Sequence, residues 1–324
     1  MAIKRLAAFA AVYVLWGGSY LAIHYVVTVV PPFFAAGVRY SLGALVLFGV
    51  AVVCRGQPLP GWRHILNAAS TGIALLVVSY GVVYWAETRV PSWIVSILVS
   101  TILIWTYLGE CFVLRLYKWR ARVLLPLIAG LCGMPLLLQG TLTEDRSESL
   151  LVGLAVLAGS CLWAAITLSL KKIELPRSYI QTAAIQLGAA GGTLLSISLI
   201  CGEFSQLPPA GEIFAPGPVL GMAYLVLAST VIAFSAFHWL LARESAALVA
   251  TSSYVNPVVA MVLGIVVAHE PSSNAQLAGA AVVLGSVVLA WYLQWPAFSS
   301  QSSPDKAGIA DKDTRDRLAA IPAQ

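Results

Sequence analysis

Ten apolar stretches, each about as long as a bilayer is thick, leave this chain few ways to fold. They lie near 6–28, 33–54, 65–86, 91–114, 123–140, 151–170, 179–201, 218–241, 247–268 and 274–295. A helix needs about 20 apolar residues to traverse roughly 30 Å of hydrocarbon. Lipid offers no partner for a backbone N–H or C=O, so a spanning segment has to satisfy its own, as a helix does. Hydrophobic residues make up 59% of the chain, charged residues 10%, and the mean hydropathy is +0.86. A soluble domain would carry about 25% charged residues. The expected fold is an all-α integral membrane bundle of ten helices.

The two halves echo each other. Leu15-Trp16 returns as Leu162-Trp163, 147 positions later, and the same offset sets Ala36-Gly37-Val38-Arg39 against Ala183-Ala184-Ile185-Gln186. Five spans per copy is an odd number, so the second copy enters the membrane upside down. Inverted repeats of this kind build opposed half-gates around a midplane site. The expected organisation is a first repeat over 1–140, a second over 151–295, and a disordered cytoplasmic tail over 296–324, rich in Ser, Asp, Lys and Ala.

Charge placement orients the bundle. With loops assigned alternately to the two sides, one side holds Lys4, Arg5, Arg55, Arg63, Arg115, Lys118, Arg120, Arg122, Lys171, Lys172, Arg177 and Arg243, and the tail adds Lys306, Lys312, Arg315 and Arg317. The other side holds Arg89 and Arg146. The positive-inside rule then puts both termini in the cytoplasm of a cell with an inner membrane. The net charge of +5 is accounted for by topology, with no nucleic-acid partner required. Lys4-Arg5 before an apolar run suggests a signal peptide, but about 22 apolar residues exceed the 7–15 of a typical h-region, so the first helix reads as retained.

The cysteines, Cys54, Cys111, Cys132, Cys161 and Cys201, form no Cys-x-x-Cys pair and no cluster with His, which reads as free thiols rather than a metal centre. No nucleophile–base or metal-ligand set stands inside the spans, so neither an intramembrane enzyme nor a cofactor is expected. A sensor or scaffold without transport would want a sizeable soluble domain, and the tail is too short and polar to be one.

Strongly polar side chains at membrane depth are costly and therefore informative. Trp16, Tyr20 and His24 recur at i, i+4, i+8 on the first helix, and Tyr80, Tyr84 and Glu87 make a similar stripe on the third. Both stripes read as walls of an aqueous, aromatic-lined cavity, although Tyr84, Trp85 and Glu87 also suit an interfacial aromatic belt. Arg39 lies about two turns inside the second span. It either snorkels or pairs with Glu87 to hold the fold, or presents charge to a carboxylate or phosphate in the cavity. Gln186, its repeat counterpart, falls at the same depth without the charge. Asn256-Pro257 interrupts the ninth span, where proline removes one helix hydrogen bond and obstructs another, marking a hinge or binding element. Gly188 and Gly192 read as a small-x-x-x-small packing face. His24 and His238, within the apolar stretches, are of a residue type able to change charge near neutral pH, yet a single histidine near a helix end is more often a packing residue.

In these residues the chain resembles the drug/metabolite transporter superfamily, in its EamA-type members with ten helices. The resemblance rests on W-G-G-S-Y-L-A-I-H from Trp16 and P-P-F-F-A-A-G-V-R-Y from Pro31. It rests also on Tyr84-Trp85-Ala86-Glu87 through Val90-Pro91-Ser92, and on A-S-T-V-I-A-F, W-L-L-A-R and V-A-T-S-S-Y-V-N-P-V-V-A between Ala228 and Glu270. It covers roughly residues 9–294 and implies two inverted five-helix EamA repeats exporting small metabolites or drugs. It also implies a central cavity faced or framed by Trp16, Tyr20, Arg39, Tyr84, Trp163, Asn256 and Pro257. The fifth helix of each half would be peripheral and available for a homodimer. Leu103 departs from the pattern, standing where the first repeat usually carries a proline, so kinking is expected in the second half only.

Overall fold

The computed structural model describes residues 2–54, 56–90, 92–115 and 146–267, with isolated positions in 125–132 and 273–293. The spans expected at 123–140 and 274–295, and the tail at 296–324, otherwise lie outside the described residues.

The described residues are helical throughout their regular structure. We number the long helices α1 (Ala2–Val27), α2 (Pro32–Val53), α3 (Trp62–Glu87), α4 (92–113), α5 (Arg146–Ser169), α6 (Tyr179–Ile200), α7 (Pro216–Leu241) and α8 (Ala246–Val267). Seven of these, all but α4, are long and apolar enough to cross a membrane; in α4 the apolar helix is the shorter Leu98–Val113.

Local chemistry sets the ends. Pro31-Pro32 stops α1, and Pro32 opens α2 at a position where the missing N–H would have had no partner. Ser178 and Ser245 cap α6 and α8 by accepting from the amides of Gln181 and Leu248, at 3.4 and 3.1 Å. Several helices are irregular inside. Wide π turns occupy Ile73–Ser79 of α3 and Leu225–Phe234 of α7, a feature often found beside functional sites. Helix α4 is interrupted at Thr101, with no proline involved, and α8 at Thr251. Helical structure runs on through Pro257. Interruptions are therefore present in both halves, and in α8 the break falls six residues before the proline. At each break a threonine hydroxyl bonds a carbonyl three residues back, Thr101 to Leu98 at 2.8 Å and Thr251 to Leu248 at 2.6 Å, competing with regular helix geometry as such side chains do.

The helices of one half pack on those of the other. α2 lies along α6, α1 along α8 and α7, and α3 along α6 and α5. One close approach is at Gly191, where an added Cβ would come within 2.7 Å of the Ser41 nitrogen and 3.1 Å of the Gly37 carbonyl. Gly192 has nothing within 4 Å and Gly188 meets the Ala44 Cβ at 3.6 Å. The small-residue seam thus runs one position away from the expected Gly192.

Polarity is inverted relative to a soluble protein. Leu45, Val53, Leu154, Ile200 and Val266 face outward, while Arg39, Glu87, Gln186, Ser229 and Thr230 are buried. Lipid is as apolar as leucine, so the outer surface needs no polar cover and polar groups gather where helices can bond them.

Candidate functional site

A cavity of about 50 Å³ lies where the two halves meet. Its wall draws on α1, α2, α3 and α4 from one half and α5, α6, α7 and α8 from the other. Most lining side chains are buried.

One side of the wall is aromatic. Trp16 and Trp163, the pair related by the 147-residue echo, meet edge to face with ring centroids 6.2 Å apart. Phe237 packs against both, at 5.3 and 6.0 Å, and Tyr80 lies 5.6 Å from Trp163. Such pairs add about 0.5–1.5 kcal/mol beyond area burial. The Trp16 indole N–H donates to the Ser229 carbonyl at 3.1 Å, within the π turn of α7. Tyr20 is fully buried among Tyr80 and Asn256, and Asn256 completes this side of the cavity.

The wall also carries a cation. Arg39 is 4% exposed, and its guanidinium is fixed by three hydroxyls: Nε donates to Thr230 Oγ1, Nη1 to the Tyr84 hydroxyl and Nη2 to Ser229 Oγ, each at 2.8 Å. The cation also lies 5.2 Å from the Tyr40 ring centroid, a contact worth about 2 kcal/mol when desolvated. Of the readings open for Arg39 from the sequence, snorkelling fails, because the side chain is buried with its head inside the bundle. Its hydrogen-bond partners are neutral. Two of them, Ser229 and Thr230, belong to the other half, so Arg39 bridges the repeats at the cavity wall.

The structure brings Trp16, Tyr20, Arg39, Tyr80, Trp163 and Asn256 together on the wall. Tyr84 stands behind it, holding Arg39. His24 is exposed and turned from the cavity, its ring near Tyr25. Eight residues at about 100° each leave it roughly 80° out of phase with Trp16, enough to change faces. Gln186 is also elsewhere. It bonds Thr71 Oγ1 at 3.1 Å and packs its backbone against Gly72, tying α6 to α3. Pro257 sits in continuous helix next to Asn256. His238 is buried in a ring cluster with Phe234 and Phe237, a packing position.

Sequence reasoning missed Tyr40, Ser229, Thr230 and Phe237. Ser229-Thr230 inside the apolar run 225–234 was the available signal: two adjacent hydroxyls in mid-span ask for a partner, as an arginine does. It missed also a pair of carboxylate caps. Glu110, at the end of α4, accepts from the amides of Ala246 and Ala247 at 2.7 and 3.3 Å, at the start of α8. Glu203, just after α6, accepts from Phe33 and Phe34 at 3.3 and 2.8 Å, at the start of α2. Each anion meets unpaired amides at the positive end of a helix dipole, and each clasps one half to the other. Among the described residues no group of His, Cys, Asp and Glu could hold a metal ion.

Comparison with known proteins agrees with this architecture. The EamA-like transporter family pattern matches twice, over residues 4–138 and 150–292. An inner membrane transporter of Escherichia coli K12, YedA, described as uncharacterized, is 35% identical over 283 residues, covering 86% of this chain and 88% of its own. YedA of Escherichia coli O157:H7 matches to the same extent. A solved crystal structure shares the fold with a TM-score of 0.71 at 20% identity, covering 90% of this chain and 98% of that one. With two repeats of the pattern and a cavity between them, the chain belongs to the EamA-like transporter family, as a multi-pass membrane protein.

Proposed function

We propose that the protein is a secondary transporter that exports small organic metabolites or drugs across the cytoplasmic membrane by alternating access. The central cavity receives the solute, and two inverted five-helix repeats, ten helices in all, rock around it with both termini in the cytoplasm. Trp16, Tyr20, Tyr80, Trp163 and Asn256 contact the solute, and Arg39 faces it with Tyr84 behind. The interruptions at Thr101 and Thr251 supply the bending. The observation that carries this reading is the cavity at the junction of the halves, with a buried cation from one half bonded to hydroxyls of the other. Export of a solute calls for such a site, reachable from one side at a time.

The test uses purified protein in liposomes preloaded with a broad metabolite panel, followed by mass spectrometry of the external medium. Release of one solute class above protein-free liposomes is expected. Retention of the whole panel, while a control carrier releases its substrate, would refute the reading.

A further inference from the structure

Three buried carboxylates lie among the described residues, and one differs from the others. Glu110 and Glu203 each accept two backbone N–H bonds. Glu87 is 3% exposed, and neither carboxylate oxygen has a hydrogen-bond partner. It sits at the end of α3, one turn beyond Tyr84, and the cation that acts on it is Arg39. A buried carboxylate with no donor cannot be left charged cheaply. Two reliefs are open: it holds a proton, or it draws the guanidinium of Arg39 onto itself.

Those reliefs exclude one another in their effect on Arg39. In the arrangement described, Arg39 donates across the repeat boundary to Ser229 and Thr230. A charge-assisted Arg–carboxylate pair is stronger than these hydroxyl bonds, so an ionised Glu87 would compete for the same donors and loosen the bridge. We propose that Glu87 is a proton-binding site, and that its occupancy decides whether Arg39 bridges the two repeats. Proton binding forms one carboxyl O–H bond as a hydronium ion of the adjoining water gives up one of its own and becomes water, while Arg39 keeps its own proton throughout. This rests on the transporter reading for its purpose: it supplies the means by which a proton could be linked to the movement of the halves.

The groups around Glu87 leave few rivals. From α1 comes Tyr20, from α2 Arg39, and from α3 itself Tyr80 and Tyr84. Segment 92–100 of α4 carries no titratable residue, and α5 has Arg146, Glu148 and Cys161 in its sequence, of which Cys161 is exposed. Arg89, two positions on, is exposed and lies over the Trp85 ring at 4.5 Å.

The test needs no substrate in its first arm. Infrared difference spectra of the purified protein in lipid, between acidic and alkaline buffer, should contain a protonated carboxyl band. That band should vanish in Glu87→Gln and move in Glu87→Asp, which keeps a carboxyl should the amide variant fold poorly. A guanidinium band should shift in step in the wild type and not in Arg39→Lys. A carboxyl band unchanged in both Glu87 variants overturns the proposal, as does a guanidinium band that ignores pH. In the second arm, flux of the solute returned by the panel should change severalfold with pH in the wild type and be flat in Glu87→Gln. An unaltered pH profile in Glu87→Gln overturns the link to transport. If the panel returns no solute, that failure falls on the transporter reading, and the infrared arm still decides on Glu87.

Discussion

Arg39 concentrates at one residue what makes this cavity more than a gap between helices. Removing it would leave Ser229, Thr230 and Tyr84 without their donor in a buried place, where each unpaired group costs about 1–3 kcal/mol. Arg39→Ala should therefore lower solute flux at least tenfold while the protein still reaches the membrane. Arg39→Lys should rescue little, because one ammonium cannot reproduce a planar fork addressing three oxygens. Initial efflux rates normalised to the amount of reconstituted protein would check both. Trp16→Ala should also weaken flux, by opening the aromatic wall beside Trp163 and Phe237. Arg39 was legible in the sequence because a lone cation in an apolar run has no bland explanation. Its partners were not, since serines and threonines in mid-span usually bond their own helix, as Thr106 does with Ile102. His24 misled because a stripe counted in steps of four drifts off its face.

At the scale of elements, the seams between halves carry the stability. Gly191→Ala would push a methyl into the backbone of α2, and overpacking of this kind costs about 1–3 kcal/mol. Gly192→Ala, facing open space, should leave the midpoint of thermal unfolding in detergent unchanged. The spacing revealed that α6 has a small-residue face, but not its register, because adjacent glycines at 191 and 192 look alike until the partner helix is present. The carboxylate caps predict a second contrast. Glu110→Ala orphans two amides at the start of α8 and should lower the midpoint clearly, whereas Glu212→Ala, on an exposed residue, should not. Beside that cap Lys171 donates to the Glu244 carbonyl at 3.0 Å. Burial pulls its ammonium below the ordinary lysine range, against the opposing pull of Glu110 and Glu244. The folded protein thus releases this proton at lower pH than the unfolded chain. Its contribution to stability grows as pH rises from the depressed value toward about 10.4, and is lost as pH falls through the depressed value. The midpoint of the wild type relative to Lys171→Gln should accordingly increase with pH across that alkaline window.

For the molecule as a whole, apolar length revealed the helical class, and the 147-residue echo picked out Trp16 and Trp163 as counterparts, whose ring centroids the structure places 6.2 Å apart. Hydropathy does not record which neighbour a helix chooses, which is why the exchange of caps between the halves stayed hidden: a glutamate at a span end looks like any loop charge until the amides it serves arrive from the other repeat. The proposed orientation makes its own prediction. Reporter fusions at the basic loops near Arg63 and Lys171 should report cytoplasm, and fusions near Arg89 and Glu212 the opposite side. The most direct test of the central claim is efflux from liposomes loaded with the solute that the panel returns, comparing wild type with Arg39→Ala at equal reconstitution. The account predicts release by the wild type and at least a tenfold slower rate in the variant. Equal rates in the two proteins would contradict it.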